Sequence, residues 1–378
     1  MTEKLYESDS HLFEFTAKVI SVEKCDDYYL TVLDRTAFFP EGGGQASDIG
    51  FIGDVFVDYV FIEGNIIYHR SKSPISGGEV SCAIDGRRRF AFMQNHSGEH
   101  IVSGIINKKF GFDNVGFHLG EDFVTLDFNG ILNREQLAEI EYEANRKIWE
   151  NVKFKAYYPS EGELDSLDYR SKKELLGDIR IVEIENTDIC ACCAPHVNEA
   201  GEIGIIKLLD FEKLRGGIRI YMKCGDFALS DYRSRYENTV KISALLAAKQ
   251  DNIADAVSQL QNKLSEEKYK ISKLNGKLIE FIIGQFDSNL NAIIVEDFEI
   301  KELQILADGL HKTYNKICGA FSKNEAGYNF AICGEEDELN EFFSLLKKNL
   351  EIRGGGRNGM VQGTVFADRD DLKKHFKI

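Results

Sequence analysis

Residues 92–111, FMQNHSGEHIVSGIINKKFG, carry the period of a helix. Phe92, His96, His100 and Gly104 recur every four residues with the apolar Ile101 and Ile105 beside them, which predicts a helix from about Phe90 that stops near Gly111. On that helix His96 and His100 stand one turn apart on one face, where both imidazoles can reach one metal ion. Upstream the chain reads as β. Tyr28–Leu33 and Phe51–Ile62 are rich in β-branched and aromatic residues and punctuated by glycine. Between them lies a Gly-rich loop, Phe39-Pro40-Glu41-Gly42-Gly43-Gly44-Gln45, which no Gly-Lys-Ser/Thr follows, so it is not a Walker-type phosphate loop. Downstream, a second helix is expected from Asn133, a capping residue, through Trp149. Strand-like runs follow at Val152–Tyr158, Ile179–Ile184, Ile203–Leu209 and Ile218–Met222. Helices alternating with strands imply a mixed α/β (α+β) fold.

A different pattern spans 246 to 281. Leu246, Gln250, Ile253, Val257, Leu260, Leu264, Glu267, Ile271, Leu274, Leu278 and Phe281 are spaced four, three, four, three, a heptad seam. It predicts one long helix of roughly 54 Å at about 1.5 Å per residue. Such a helix pairs with another chain or folds back on a second helix of its own.

The chain has 378 residues, enough for two or three domains, with ordinary hydrophobic (43%) and charged (29%) fractions. The opening MTEKLYESDSHLFEF shows no hydrophobic signal segment and no run of about 18 apolar residues occurs, so no membrane span and a cytoplasmic location are expected. The net charge of −16 excludes a protein that coats nucleic acid by electrostatics alone. A local basic face can still form at Arg87, Arg88 and Arg89, and at Lys207, Lys213, Arg215, Arg219 and Lys223; the bland reading of each cluster is solvated surface charge.

Eight cysteines occur, three of them within four residues at Cys190, Cys192 and Cys193, a spacing suited to metal chemistry and not to a disulfide framework. Cys192-Cys193-Ala194-Pro195-His196 offers a thiolate and an imidazole across a loop that Pro195 stiffens. With His96 and His100 it supplies three nitrogens and one sulfur, a donor set that suits Zn2+. Either motif alone is weak; their joint occurrence is the signal. Cys192 has the required spacing to His196, and Cys190 and Cys193 are near enough to substitute. Glu99 completes His-x-x-Glu-His, the inverted zinc-protease motif in which Glu is the general base; its alternative is a helix-surface residue, and the Cys/His loop ranks the protease reading low.

These residues resemble a known family. His96-x-x-x-His100 followed by Cys192-x-x-x-His196 looks like the zinc signature of the editing domains of alanyl-tRNA and threonyl-tRNA synthetases. Leu33-Asp34-Arg35-Thr36-Ala37-Phe38-Phe39-Pro40-Glu41-Gly42-Gly43-Gly44-Gln45 looks like the Gly-rich segment before the alanyl zinc domain, and Gly217-Ile218-Arg219-Ile220 like the strand after its Cys-x-x-x-His. Arg353-Gly354-Gly355-Gly356-Arg357-Asn358-Gly359-Met360-Val361-Gln362-Gly363 resembles the C-terminal domain that alanyl-tRNA synthetases share with DHH-type phosphoesterases. With no amino-acid-activating domain ahead of the Gly-rich segment, the chain resembles the long form of the AlaX editing proteins. It departs from the family in reading Cys-Cys-Ala-Pro-His where Cys-Gly-Gly-Thr-His is common.

The resemblance implies an aminoacyl-tRNA deacylase, a carboxylic ester hydrolase that clears serine or glycine from mischarged tRNA(Ala). An alanine pocket cannot exclude glycine, and rejection of one added hydroxyl by binding alone is limited to roughly a hundredfold. It implies zinc held by His96, His100, Cys192 and His196. Thr36 is the candidate hydroxyl that favours serine; Gln45, Gln94 and Glu99 are candidates for positioning substrate or water or for proton transfer. Arg87, Arg88, Arg215, Arg219, Arg353 and Arg357 are candidate tRNA contacts. It further implies a Gly-rich, β-barrel-like domain over 1–88, the zinc editing domain over 89–232, the long helix or coiled coil over 233–284 and an α/β domain over 285–378, with homodimerisation through the last two. Two competing classes are a zinc-stabilised, non-catalytic tRNA-binding protein and a zinc-dependent phosphoesterase; no Asp-His-His motif accompanies the latter.

Overall fold

The computed structural model describes residues 2–120, 123–171 and 179–378. They fall into two compact units, Met1–Val240 and Lys241–Ile378.

The first unit begins with a closed barrel of six antiparallel strands, in the order Glu14–Cys25, Tyr28–Leu33, Ile66–Ser71, Val55–Glu63, Gly50–Ile52 and Gly78–Ile84. Closure leaves no open sheet edge. Inward residues, among them Leu33, Ile52, Val57, Val60 and Ile67, pack with Phe38 and Phe39 from the Gly-rich segment. The run expected as one strand over Phe51–Ile62 is two, because Gly53-Asp54 make a hairpin turn with Gly53 at φ +56°.

The barrel interior also holds a polar pair. His69 is fully buried; its Nδ1 is 3.1 Å from the Thr31 carbonyl and its Nε2 2.9 Å from the Thr36 hydroxyl. A carbonyl only accepts, so Nδ1 carries the hydrogen and Thr36 donates to Nε2, while Thr36 Oγ1 accepts from the Phe38 amide at 3.1 Å. Burial pushes the imidazole down to about pKa 4 from 6.5. Between those values the unfolded chain binds the proton and the folded one does not, so stability is full above about pH 6.5 and declines as pH falls toward 4. At pH 5 this one group removes about 2 kcal/mol. The stability gap between the parent and His69→Gln should therefore shrink by about that much from pH 7.5 to pH 5 in urea titrations; parallel curves would refute the linkage.

The remainder of the first unit is built round the helix Gly86–Phe110. Asp85 caps its start, accepting from the Arg88 amide, and Gly111 ends it at φ +67°. The helix is covered on nearly all sides: Ala91 to Ile106 are buried, including the polar Asn95, Ser97, Glu99 and Ser103. Arg89, read as part of a surface cluster, is wholly buried: its Nε lies 3.0 Å from Asp48, its Nη1 donates to the Ser10 carbonyl at 3.1 Å and its Nη2 to Asp48 and the Ala37 carbonyl. Asp48 also accepts from the Phe39 amide at 2.6 Å, so this ion pair fastens the helix to the Gly-rich segment of the barrel.

A second helix, Arg134–Trp149, starts at the expected Asn133 in a reciprocal capping box with Gln136. Both helices share a core with an antiparallel sheet ordered Ile206–Leu214, Gly217–Cys224, Val124–Phe128, Asn114–Leu119. A three-stranded sheet, Phe154–Tyr157, Ile181–Ile184 and Asp188–Ala191, carries the segment that leads into the Cys/His loop.

The expected continuous helix over 246–281 is not continuous. One helix ends at Leu246, Ala247 turns left-handed at φ +49°, the Ala248 amide bonds back to the Ser243 carbonyl, and a new helix runs Ile253–Gln285. Heptad spacing is blind to a break that keeps phase, and Asp251-Asn252 before Ile253 is a helix-start signal. The second helix is roughly 50 Å long at about 1.5 Å per residue. Ile279, with Ile282 and Ile283, packs on the helix Ile300–Tyr314. The seam residues Leu260, Leu264, Ile271, Leu274 and Phe281 are exposed.

A five-stranded sheet completes the second unit, ordered Ala292–Val295, Cys318–Asn324, Gly327–Cys333, Met360–Phe366, Glu351–Arg357, with the first pair parallel and the rest antiparallel. Its two faces alternate as strand geometry requires. Cys318, Ala320, Ala331 and Cys333 meet the helix Ile300–Tyr314, and Phe321, Phe330 and Ile332 meet the helix Glu336–Asn349. The triglycine segment Gly354–Gly356 is the edge strand of a hairpin turned at Asn358-Gly359. No helix among the described residues is long and apolar enough to cross a membrane.

Candidate metal centre

The one-turn spacing of His96 and His100 places their rings 5.5 Å apart on the buried helix, and the Cys/His loop brings the His196 ring within 4.8 and 4.7 Å of them. The ligand atoms of His96, His100, Cys192 and His196 all lie within 4.8 Å of one another. Cys192 Sγ stands 3.6 Å from His96 Nε2 and 3.3 Å from His196 Nε2. A tetrahedral ion with bonds of about 2.3 Å to sulfur and about 2.0 Å to nitrogen has S···N edges of about 3.5 Å, so the donors fit zinc in kind and these two edges fit it in length.

Each imidazole is turned by a partner on its other nitrogen. His96 Nδ1 bonds Gln45 Oε1 at 2.8 Å, His196 Nδ1 meets Ser97 Oγ at 3.1 Å, and His100 Nδ1 bonds Asp188 Oδ2 at 3.1 Å. All three Nε2 atoms are thereby directed at the shared space. Asp188 is held in turn by Arg170 through two bonds of 2.7 Å.

The Gly-rich segment acts as an adaptor between barrel and helix. Gly44 sits at φ +84°, and a Cβ there would stand 2.3 Å from the Phe117 carbonyl oxygen, so only glycine allows this approach. Its carbonyl accepts from the Leu119 amide at 2.8 Å, which delivers the neighbouring Gln45 to His96. The Cys/His loop is fixed by Arg180, whose Nη1 donates to the carbonyls of Cys192 at 3.1 Å and Ala194 at 3.0 Å, and by Ser10, whose hydroxyl donates to the His196 carbonyl at 2.7 Å.

Burial works against ionisation of Cys192, yet the imidazoles of His96 and His196 outweigh it and hold the thiol well below its usual range. Burial pulls His196 down to about 3. A thiolate beside a neutral imidazole is the state in which these side chains ligate a metal. At His100 burial also favours the neutral ring, but Cys190 and Glu99 outweigh it and push its pKa up. Charge that retains a proton there equally favours a metal cation in the proton's place.

Of the three clustered cysteines, Cys192 alone joins the four-residue group. Cys193 is exposed, and Cys190 is buried in a second group, with Asp188, that shares His100 with the first. Glu99 is fully buried, not on the helix surface; its Oε1 accepts from Ser103 Oγ and Asn114 Nδ2, both at 2.7 Å, and its Oε2 lies 3.8 Å from His100 Nε2. Gln94 spends its amide elsewhere, donating to the Glu202 carbonyl at 2.9 Å and accepting from the Asp226 amide at 3.1 Å. Thr36 lies in the barrel against His69, as described. Gln45 is buried and its Nε2 has no hydrogen-bond partner among the described residues.

The arginines divide. Arg87 is exposed and pairs with Asp226 at 2.9 Å, and Arg88 stacks 4.5 Å over Phe92; together with Lys223 and Phe227 they line a cavity of about 320 Å³. Arg219 is engaged with Asp127 in two bonds of 2.7 Å, and Arg215 is exposed between two strands. Arg353 and Arg357 lie at either end of the triglycine edge strand, Arg353 4.9 Å over Phe366. Sequence reasoning missed Asp188, Arg170, Ser97, Arg180 and Ser10. Ser97 sits inside the His96-x-x-x-His100 motif and Asp188 four residues before Cys192, but neither is a spaced position of a motif, and Arg170, Arg180 and Ser10 lie outside them.

Residues 179–221, which include Asp188, Cys192 and His196, match the family described as the threonyl and alanyl tRNA synthetase second additional domain. The chain is 29% identical to the alanyl-tRNA editing protein AlaX-L of Pyrococcus horikoshii, over 98% of this chain and 96% of that one. It is 29% identical to the alanyl-tRNA editing protein Aarsd1-B of Xenopus laevis, over 88% and 83%. It is also 29% identical to the alanine–tRNA ligase of Thermofilum pendens over its whole length, but spans only 43% of that enzyme. The resemblance carried by four short motifs thus extends along the entire chain, which is similar to the long alanyl-tRNA editing proteins and to the corresponding part of alanine–tRNA ligases.

Proposed function

We propose that this protein is an aminoacyl-tRNA deacylase that hydrolyses the ester joining serine or glycine to the 3′ end of tRNA(Ala), at a zinc ion held by His96, His100, Cys192 and His196, in the cytoplasm. The observation that carries the reading is the convergence of these four donors, each imidazole oriented from behind. Likeness to alanyl-tRNA editing proteins over nearly the whole chain supports the substrate class. When bound, zinc would supply a Lewis acid able to polarise an ester carbonyl or a water.

The rest falls to the chain's own residues. Gln45, fixed through Oε1 to His96, has a buried Nε2 without a partner among the described residues, placed to donate to the carbonyl oxygen or hold the water. Glu99 Oε2 stands beside His100 to take the water's proton. The carbonyl carbon gains the water oxygen, the bond to the ribose oxygen breaks, and that oxygen takes up a proton. Thr36 retains one acceptor lone pair that would read a serine hydroxyl. Gln94 holds the start of the helix to the Glu202 turn and acts on the site only through it. Arg87, Arg88, Arg215, Arg219, Arg353 and Arg357 are the proposed tRNA contacts, across proposed domains 1–88, 89–232, 233–284 and 285–378.

The exposed seam of the helix Ile253–Gln285 is the proposed dimer contact. Replacing Leu260 and Leu264 with Glu should convert a dimer to a monomer in sedimentation, with the unfolding midpoint of the monomer retained. A dimer unchanged by both charges sinks the assignment.

The deciding assay follows release of labelled serine from Ser-tRNA(Ala), beside Ala-tRNA(Ala) and Ser-tRNA(Ser), with and without a zinc chelator. Rapid, chelator-sensitive loss from Ser-tRNA(Ala) alone is expected. Stable ester in all three, with tRNA bound, overturns the reading.

A further inference from the structure

We infer that Asp188 and Arg170 form a positioning pair that fixes the orientation of His100 and sets how tightly the centre holds its metal; this rests on the zinc reading above and deepens it. The three ligand imidazoles do not have equivalent supports. His96 leans on the amide of Gln45 and His196 on the hydroxyl of Ser97, whereas His100 leans on a carboxylate. An ionised carboxylate only accepts, so His100 Nδ1 must carry its hydrogen, which leaves Nε2 as the nitrogen that can bind a metal. A carboxylate behind an imidazole also makes the ring a stronger donor.

The carboxylate itself cannot rotate freely. Arg170 grips both oxygens at 2.7 Å, the planar fork that a lysine cannot reproduce. Arg170 is in turn fixed to the strand that carries Asp188: its amide donates to the Ile189 carbonyl at 2.8 Å and its carbonyl accepts from the Ala191 amide at 3.0 Å. That strand lies close against the histidine helix at Gly104, where a Cβ would stand 2.6 Å from the Thr187 carbonyl oxygen and 2.8 Å from Asp188 Cβ. Helix, carboxylate and guanidinium thus form one rigid stack behind His100. Both charged side chains are largely buried, with Asp188 at 2% and Arg170 at 15% side-chain exposure. Arg170 cancels the charge of Asp188, so His100 gains a strong acceptor without an uncompensated anion in the interior.

The test measures zinc affinity by competition with a chromophoric chelator, and the visible spectrum of the cobalt(II)-substituted protein, for the full chain and its variants. Asp188→Ala is expected to weaken zinc binding by about 10- to 100-fold and to shift the cobalt bands. Asp188→Asn, which keeps an oxygen for His100 Nδ1, should recover part of the loss. Arg170→Met should weaken binding in the parent and have little further effect in Asp188→Ala, as members of one unit behave. If Asp188→Ala and Arg170→Met both keep the parent's affinity and cobalt spectrum while His100→Ala has lost zinc, the positioning pair is refuted and the zinc site stands. A parent chain that binds no zinc refutes both. Should Asp188→Ala fail to fold, Asp188→Asn and Arg170→Met make the same comparison.

Discussion

Replacing His100 with alanine is expected to remove zinc and deacylation together. The variant loses one of the four donors that converge within 4.8 Å, and it leaves Asp188 with Arg170 but without the imidazole they support. Zinc content should fall from about one per chain to near none on gel filtration with a mild chelator. Serine release from Ser-tRNA(Ala) should fall at least about a thousandfold, since a metal's several kcal/mol of transition-state stabilisation corresponds to roughly that factor. Full activity in a zinc-free variant would mean that the chemistry runs on other residues.

The second large effect concerns stability. Arg89→Met strands Asp48, a carboxylate at 1% exposure, beneath the Gly-rich segment. Breaking one side of a buried pair costs about 3–5 kcal/mol, because the remaining charge has no partner. Urea titration should show that loss. The same substitution in an Asp48→Asn background should cost less, because the side-chain amide introduced there keeps an acceptor for the Phe39 amide without a buried charge. A loss below about 1 kcal/mol would indicate that Asp48 reaches water or a proton once Arg89 is gone.

What could be read from the sequence was what repeats or stands at fixed spacing. The histidine helix, its stop at Gly111 and the cap at Asn133 rest on short-range rules and form as expected, and the two short motifs proposed as metal donors are brought within 4.8 Å of one another. What could not be read depends on pairs far apart in the chain. Arg89 looks like its neighbours Arg87 and Arg88, and only its meeting with Asp48, 41 residues away, makes it interior. Glu99 passes for a surface residue until Ser103 and Asn114 are seen to bond it. The histidine helix gives no apolar stripe because it is enclosed all round between Ala91 and Ile106, so its polar residues there are buried as well. The seam over 246–281 failed in a different way: its phase survives the interruption at Ala247, and spacing alone registers phase, not continuity.

The distance along the chain between the donors has a consequence for synthesis. The histidine helix is complete once Phe110 is made, but Cys192 and His196 arrive 82 and 86 residues later. At about 5–20 residues per second that is an interval of roughly 4–17 s on the ribosome. Through it, the emerging segment presents Asn95, Ser97, Glu99 and Ser103 among its apolar residues, a mixture that discourages self-association more than a uniformly greasy helix would. Of these, Ser97, Glu99 and Ser103 later sit behind the candidate donors, and until the Cys/His loop is made they can help keep the unfinished nascent chain soluble.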